Sequence, residues 1–401
     1  MRRFGQDANA ARRRGHALVA CVRDHDWTQP VRDPTIPVAH EELSELVAQA
    51  RFHGVESCLF LSLRGRDDLD PASHRALEDP YFYALQMHMR ARRALAEVSE
   101  ILGRAGVPWL AFKGPALADT VYSRSDLRSY NDLDILVPPE AFEGAVEAFE
   151  GAGNDLLDRN WKSVRDNMHG QLHAHLSFDF TIDLHWNLIN NSYFRSVFPI
   201  DTAGLFERSR SVVVGDVTAR TLAPADTLVH LAVHGCRSGG HRLLWLKDLE
   251  QSVLHDTPSW ADVIERAEEW RAGLAVATML SRTQRALGVA IPKEVLHRLA
   301  PRAWRALTVG TDRLAPVEQS VGHDSLAMLV NYSVRSDGHT SLRDLEKRSW
   351  KWLRGARPLR VGQAREADPD RMPLLATPDG GPLDRAEYFA AVAAERPRSG
   401  R

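Results

Sequence analysis

An α+β fold follows from where two hydrophobic periodicities fall along the 401 residues. Period-2 alternation is concentrated mid-chain, in residues 131–137 and 177–186, beside an apolar run of the buried-strand type at 107–112. Helical spacing occupies both flanks: residues 40–63 and 83–104 before the strands, and about 224–335 after them. The chain accordingly divides into a flexible N-terminal segment (1–37), N-terminal helices (38–106), a strand-bearing core (107–222), an all-helical domain (223–357) and a mobile tail (358–401).

A chain of this length can bury more than one sizeable core. Apolar residues make up 44% and charged residues 26%, as in soluble globular proteins. The net charge of −2 supplies no global basic field for nucleic acid. Cys21, Cys58 and Cys236 are odd in number and form no CxxC pair, which argues against a disulfide framework or a structural zinc site. No signal-peptide core and no run of 18 apolar residues is present, so a cytoplasmic protein without a membrane partner is expected.

Residues 1–37 are polar, with Arg12-Arg13-Arg14 read as a solvated helix face or disorder, and they end among prolines. Leu43, Leu46, Val47, Ala50, Val55, Leu59 and Leu63 then recur at helical spacing. A second helix from about Tyr83 to Arg104 has Leu85, Met89, Leu95, Val98 and Leu102 as its expected buried stripe, and Gly106 suits its end.

The strand Val107–Phe112 runs into Lys113-Gly114-Pro115. Gly114 permits a tight turn with close backbone approach, and Pro115 suits the first position of a helix reaching about Val121. Free amides and the dipole at such a helix start favour an anion, and Lys113 adds a full charge beside it. A Lys-Gly turn is common; its position one helix upstream of an acidic pair marks this one. Arg128, four residues before Asp132, can reach a triphosphate oxygen bidentately or pair with a site carboxylate.

In Asn131–Val137, Leu133, Ile135 and Val137 alternate with Asp132, Asp134 and Leu136, so two carboxylates share one strand face about 7 Å apart. Carboxylates that near repel, and shared divalent cations relieve the repulsion, which points to metal-dependent nucleotidyl transfer. A helix around residues 141–149 follows, closed by Gly151. The alternation Phe178, Phe180, Ile182, Leu184, Trp186 then leaves Asp179, Asp183 and His185 on a polar face. Asp183 is the expected third carboxylate and general base, Asp179 its reserve, and His185 orients phosphate, contacts substrate or hydrogen-bonds Asp183. His173 and His175 have strand spacing without a nearby carboxylate and receive no role.

Val212–Val217 reads as a hairpin around Gly215-Asp216. In the following helix His230 and His234 lie four apart without the adjacent Glu of a zinc-protease helix. They are read as an active-site wall or as packing. Lys247 and Asp248 interrupt an apolar stretch and need partners or a cleft. Residues 344–360 are basic with Trp350 and Trp352, a closing helix or a weak RNA- or phosphate-binding surface. The tail from about 358 carries one short expected helix, residues 385–395.

In chain order, Phe112-Lys113-Gly114, Arg128 to Val137, Ile182-Asp183-Leu184-His185-Trp186, His230/His234 and Leu243-Leu244-Trp245-Leu246-Lys247-Asp248 resemble the uncharacterised bacterial nucleotidyltransferase family of the DNA-polymerase-β-like superfamily, over about residues 40–335. The resemblance implies a small mixed β-sheet nucleotidyltransferase core flanked by helices. It also implies that Asp132, Asp134 and Asp183 hold two magnesium ions (Mg2+) around a nucleoside triphosphate, ATP being the expected donor. Gly114-Pro115 stands where the superfamily has Gly-Ser or Gly-Gly, so Lys113, Gly114 and Arg128 are expected to grip the nucleotide. His185, His230, His234 and Lys247 would line the acceptor pocket. The expected activity moves a nucleoside monophosphate to a hydroxyl of a small molecule or peptide in a biosynthetic pathway. The alternatives are a toxin-like enzyme modifying tRNA or protein, and a non-catalytic binding protein of a biosynthetic assembly.

Overall fold

The computed structural model describes residues 2–176, 178–320, 326–353 and 376–395. Two hydrophobic cores organise them. One gathers the strands, the C-terminal half of a long helix and a C-terminal helix; the other gathers the N-terminal and central helices.

The sheet has five strands: β1 (Leu110–Ala111), β2 (Leu133–Leu136), β3 (Asp155–Leu156), β4 (Gln171–Leu176) and β5 (Phe180–His185), in the order β1-β2-β5-β4-β3. The β2–β5 pair is parallel and every other pair antiparallel, so the sheet is mixed, as the resemblance implies. Phe180, Ile182, Leu184 and the following Trp186 enter the sheet core with Leu133, Ile135 and Val137 of the β2 segment. Hydrophobic alternation thus decides which face of each strand is turned inward. A separate hairpin, β6 (Arg210–Val214) and β7 (Val217–Thr221), turns at Gly215-Asp216.

The expected strand at 177–186 is really the second arm of a hairpin. Asp179 adopts φ +62° in the connection after β4, and pairing begins at Phe180. A short polar side chain tolerates that left-handed turn, which strand periodicity does not reveal.

The helix expected from Tyr83 begins at Pro71 and spans Pro71–Arg104. The Asp70 side chain caps it through Ser73 N–H at 2.8 Å, and Pro80 is carried inside it. Its buried stripe includes Met87 rather than Met89, which is exposed. At the N-terminus, a helix Arg2–Val22 buries Ala17, Leu18, Cys21 and Val22 in the helical core, joined by Trp27 and Ile36. Its arginines precede this apolar end, so the segment is a helix with one hidden flank.

Helices Pro224–Arg237, Leu243–His255 and Gly273–Leu287 form the centre of the second core. The helix Gly338–Leu353 leaves Trp350 and Trp352 exposed; the rest of the basic stretch, 354–360, lies outside the described residues. So do 361–375 and 396–401 of the expected mobile tail. Within it, the helix Pro382–Ala393 packs Tyr388, Phe389 and Val392 into the sheet core. Tyr388 donates its hydroxyl to the His169 carbonyl (2.6 Å), and Trp186 Nε1 donates to the Tyr388 oxygen (3.0 Å). All three cysteines are free and buried. Among the described residues no helix is long and apolar enough to cross a membrane.

Candidate active site

The Lys-Gly turn, β2 and β5 meet at one place. β1 ends just before Lys113, which occupies the N-cap position of the helix Gly114–Val121. Gly114 has φ +56°, and a Cβ there would stand 2.9 Å from the Asp132 carbonyl oxygen. Only glycine lets the turn press this closely on the start of β2.

Parallel pairing of β2 with β5 sets Asp134 opposite Asp183 and Leu136 opposite His185. Neighbouring strands are about 4.8 Å apart, so register partners on one face bring their side chains together. One potential ligand atom each from Asp134, Asp183 and His185 lies within 4.8 Å of the others. All three residues are buried. Lys113 Nζ is 2.8 Å from Asp134 Oδ1, and His185 Nε2 is 3.4 Å from the same oxygen. Asp132, one residue before β2, is half-buried beside the Gly114 turn.

Electrostatics distinguish the two carboxylates. Burial alone would raise the Asp134 pKa, but the Lys113 ammonium and the His185 ring outweigh it and hold the group far below the usual carboxylate range. Asp183 has other neighbours: Gln171 donates to its Oδ2 at 3.2 Å, and His173 Nε2 lies 3.8 Å from its Oδ1. Among the described residues, Lys113 is thus the one lysine or arginine in an ion pair with these two buried carboxylates. Nδ1 of His185 is buried and has no hydrogen-bond partner. Excess buried negative charge beside an unsatisfied imidazole nitrogen is costly by itself and fits a divalent cation, whose ligands are carboxylates and neutral imidazole. The donor set therefore fits a metal, with His185 joining Asp134 and Asp183 in the cluster.

His230 covers this pocket from the helix Pro224–Arg237. Its ring meets Phe112 edge-on at 5.3 Å, and Phe112 meets His185 at 5.1 Å. Burial pushes the His230 pKa well below that of a free imidazole, helped by the charge of Lys113. The ring is therefore neutral, and its buried Nε2 has no partner. His234 is half-buried, 6.0 Å from His230 and 6.4 Å from the Trp245 ring.

The remaining expected residues lie elsewhere. Arg128 pairs in a fork with Asp248, Nε to Oδ1 at 2.8 Å and Nη2 to Oδ2 at 3.2 Å, where Tyr122 also donates its hydroxyl. Of the two roles open to Arg128, the carboxylate pairing is the one seen, with a carboxylate outside the metal cluster. Lys247 is wholly buried against Glu250 at 2.6 Å, with Asp24 at 3.7 Å and the Trp27 ring at 5.0 Å. Asp179, the reserve acid, is exposed in the hairpin connection, where Arg90 and His175 flank it. Gln171, His173 and Asp158, which stand behind Asp183, were not singled out by sequence reasoning. His173 alternates as a strand residue should, yet its carboxylate partners arrive from β5 and from the segment after β3.

Residues 39–288 match the model of an uncharacterised nucleotidyltransferase family, about three-fifths of the chain. No curated protein matches the chain significantly.

Proposed function

Because the chain belongs to this uncharacterised nucleotidyltransferase family, we propose that it is a magnesium-dependent enzyme moving a nucleoside monophosphate from a nucleoside triphosphate to an acceptor hydroxyl, the oxygen–α-phosphorus bond forming as the bond to pyrophosphate breaks. The observation that carries this reading is the pair of buried carboxylates on adjacent parallel strands, opposed by one lysine and joined by an unsatisfied histidine. A scaffold has no use for uncompensated buried charge.

Asp134 and Asp183 would hold magnesium through their carboxylate oxygens, with Asp132 completing the set and His185 standing beside it. Bound magnesium neutralises triphosphate oxygens and the charge that develops during in-line displacement. Asp183 would take the proton of an acceptor hydroxyl. Lys113, at the mouth of the Gly114 turn, would move from Asp134 to phosphate, and the first amides of the Gly114–Val121 helix favour the same anion. His230, neutral and walled by Phe112, would offer a hydrogen bond and exclude water on the acceptor side, with His234 beyond it. Arg128 would act indirectly, by holding its loop to the helix Leu243–His255.

The test is incubation with labelled ATP, GTP, CTP and UTP plus magnesium, followed by a mass search for an acceptor heavier by one nucleoside monophosphate. Absence of nucleotide binding, or undiminished turnover by Asp134→Asn, would overturn the reading.

A further inference from the structure

Strand register extends the polar row beyond the metal cluster. Asp134, Asp183 and His173 are successive partners across β2, β5 and β4, and Gln171 is the β4 partner of His185. Gln171 and His173 are both buried. Gln171 Nε2 lies 3.2 Å from Asp183 Oδ2 and 3.2 Å from His173 Nε2.

These contacts leave one consistent set of protons. An ionised carboxylate only accepts, so the Gln171 amide must turn its NH2 toward Asp183. The second hydrogen of that NH2 then meets His173 Nε2, which must present a lone pair. The ring proton sits on Nδ1 and is donated to Asp158 Oδ2 at 2.8 Å; the same oxygen accepts the His173 backbone N–H at 2.7 Å. Asp158 itself is buried, so this acceptor is fixed.

We propose that Gln171 is the positioning residue of the metal site, backed by the His173–Asp158 pair. It aims the Asp183 carboxylate through a neutral amide donor. Asp134 differs, since Lys113 must leave it. This inference rests on Asp183 being a metal ligand. Partners behind ligating carboxylates orient them and tune affinity, and their loss costs about 10- to 100-fold in metal binding.

Mn2+ alone, followed by its free-ion paramagnetic resonance signal in the full-length protein, is the probe. Gln171→Leu is expected to weaken Mn2+ binding about tenfold or more in protein that remains folded at the assay temperature. Long-range nitrogen spectra of 15N-histidine-labelled wild type, with His173→Phe for assignment, should show Nδ1 protonated and Nε2 bare at neutral pH. Wild-type affinity in Gln171→Leu, or a proton on His173 Nε2, overturns the proposal. Should the variant fail to fold, the tautomer of the wild-type ring decides alone. If wild type binds no Mn2+, the metal reading falls and this inference with it; if only the variant is unaffected, the inference falls alone.

Discussion

Two charge clusters draw on residues of the 107–136 segment, and they balance differently. In the first, Lys113 faces Asp134 while Asp183 and His185 stand beside it, leaving one cation for two carboxylates. In the second, Arg128 is matched to Asp248 and Lys247 to Glu250, one positive charge for each fully buried negative, with the partly exposed Asp24 3.7 Å from Lys247. Asp134, Asp183, Asp248 and Glu250 are all buried, whereas Lys113 of the first cluster is only half-buried. Removing charges from water is repaid only by a partner of opposite sign, so the balanced cluster is complete and the unbalanced one calls for a cation from outside. Charge balance, more than burial or motif, separates a structural ion cluster from a chemical site.

The sharpest way to break this contrast is to neutralise each cluster in turn. Asp183→Asn is expected to lower turnover by roughly 10³-fold, the scale of a lost electrostatic contribution to a transition state, while stability in urea stays level or rises. A destabilised variant would mean that Asp183 is structurally paired after all. In the balanced cluster the sign reverses. Asp248→Leu strands the Arg128 guanidinium and should cost about 3–5 kcal/mol in urea denaturation. The double change with Arg128→Met should recover most of that loss, and failure to recover would show that the pair is not the reason.

A smaller effect tests the single cation of the first cluster. Lys113→Met should tighten binding of Mn2+ alone by about tenfold, or ~1.4 kcal/mol, because the ammonium no longer competes for Asp134. The same variant should bind nucleoside triphosphate more weakly, both read by calorimetry. Weaker Mn2+ binding would show that Lys113 assists the metal instead of yielding to it.

The gentlest test uses pH, through buried histidines behind each cluster. The His169 carbonyl holds Trp186 and Tyr388 behind the first, and burial lowers the His169 pKa to about 4. His53 accepts the Leu243 N–H beside the second, and burial followed by the Arg242 charge lowers it to about 3. Their folded pKa values lie below the unfolded value of 6.5. The unfolded chain therefore binds more protons between about pH 6.5 and 4, and stability falls as pH drops through that window. Each ring contributes a limiting slope of about 1.4 kcal/mol per pH unit. Asp134, held far lower, stays charged throughout. Urea midpoints at pH 7 and 5 should differ less in His169→Gln than in wild type; equal differences would show that this ring is solvated in the fold.

Much of the sheet is legible in the chain because strand faces obey a two-residue rule whatever they pack against. Leu133, Ile135, Ile182 and Leu184 lie inside, as their alternation demands. The Lys113-Gly114-Pro115 turn is equally local: the positive φ and the close carbonyl lie within the turn and its neighbouring strand. Boundaries are less so. Pro80 in Asp79-Pro80 resembles a stop signal, yet packing of the long helix overrides it. The short tail helix expected at 385–395 is found at Pro382–Ala393, but its docking is hidden in the sequence, because Tyr388, Phe389 and Val392 are too few to stand out until Trp186 and His169 are brought beneath them.

Residue types and spacing alone determined the α+β class, the inward faces of the strands and the acids worth watching, since all of these depend on neighbours within a few residues. Tertiary structure alone decided that Asp134 faces Asp183 with His185 beside them, that Arg128 is spent on Asp248, and that Gln171 and His173 stand behind the site. Those outcomes rest on strand order and register, and on a helix arriving from more than a hundred residues away; charges reveal their partners only once the chain has closed around them.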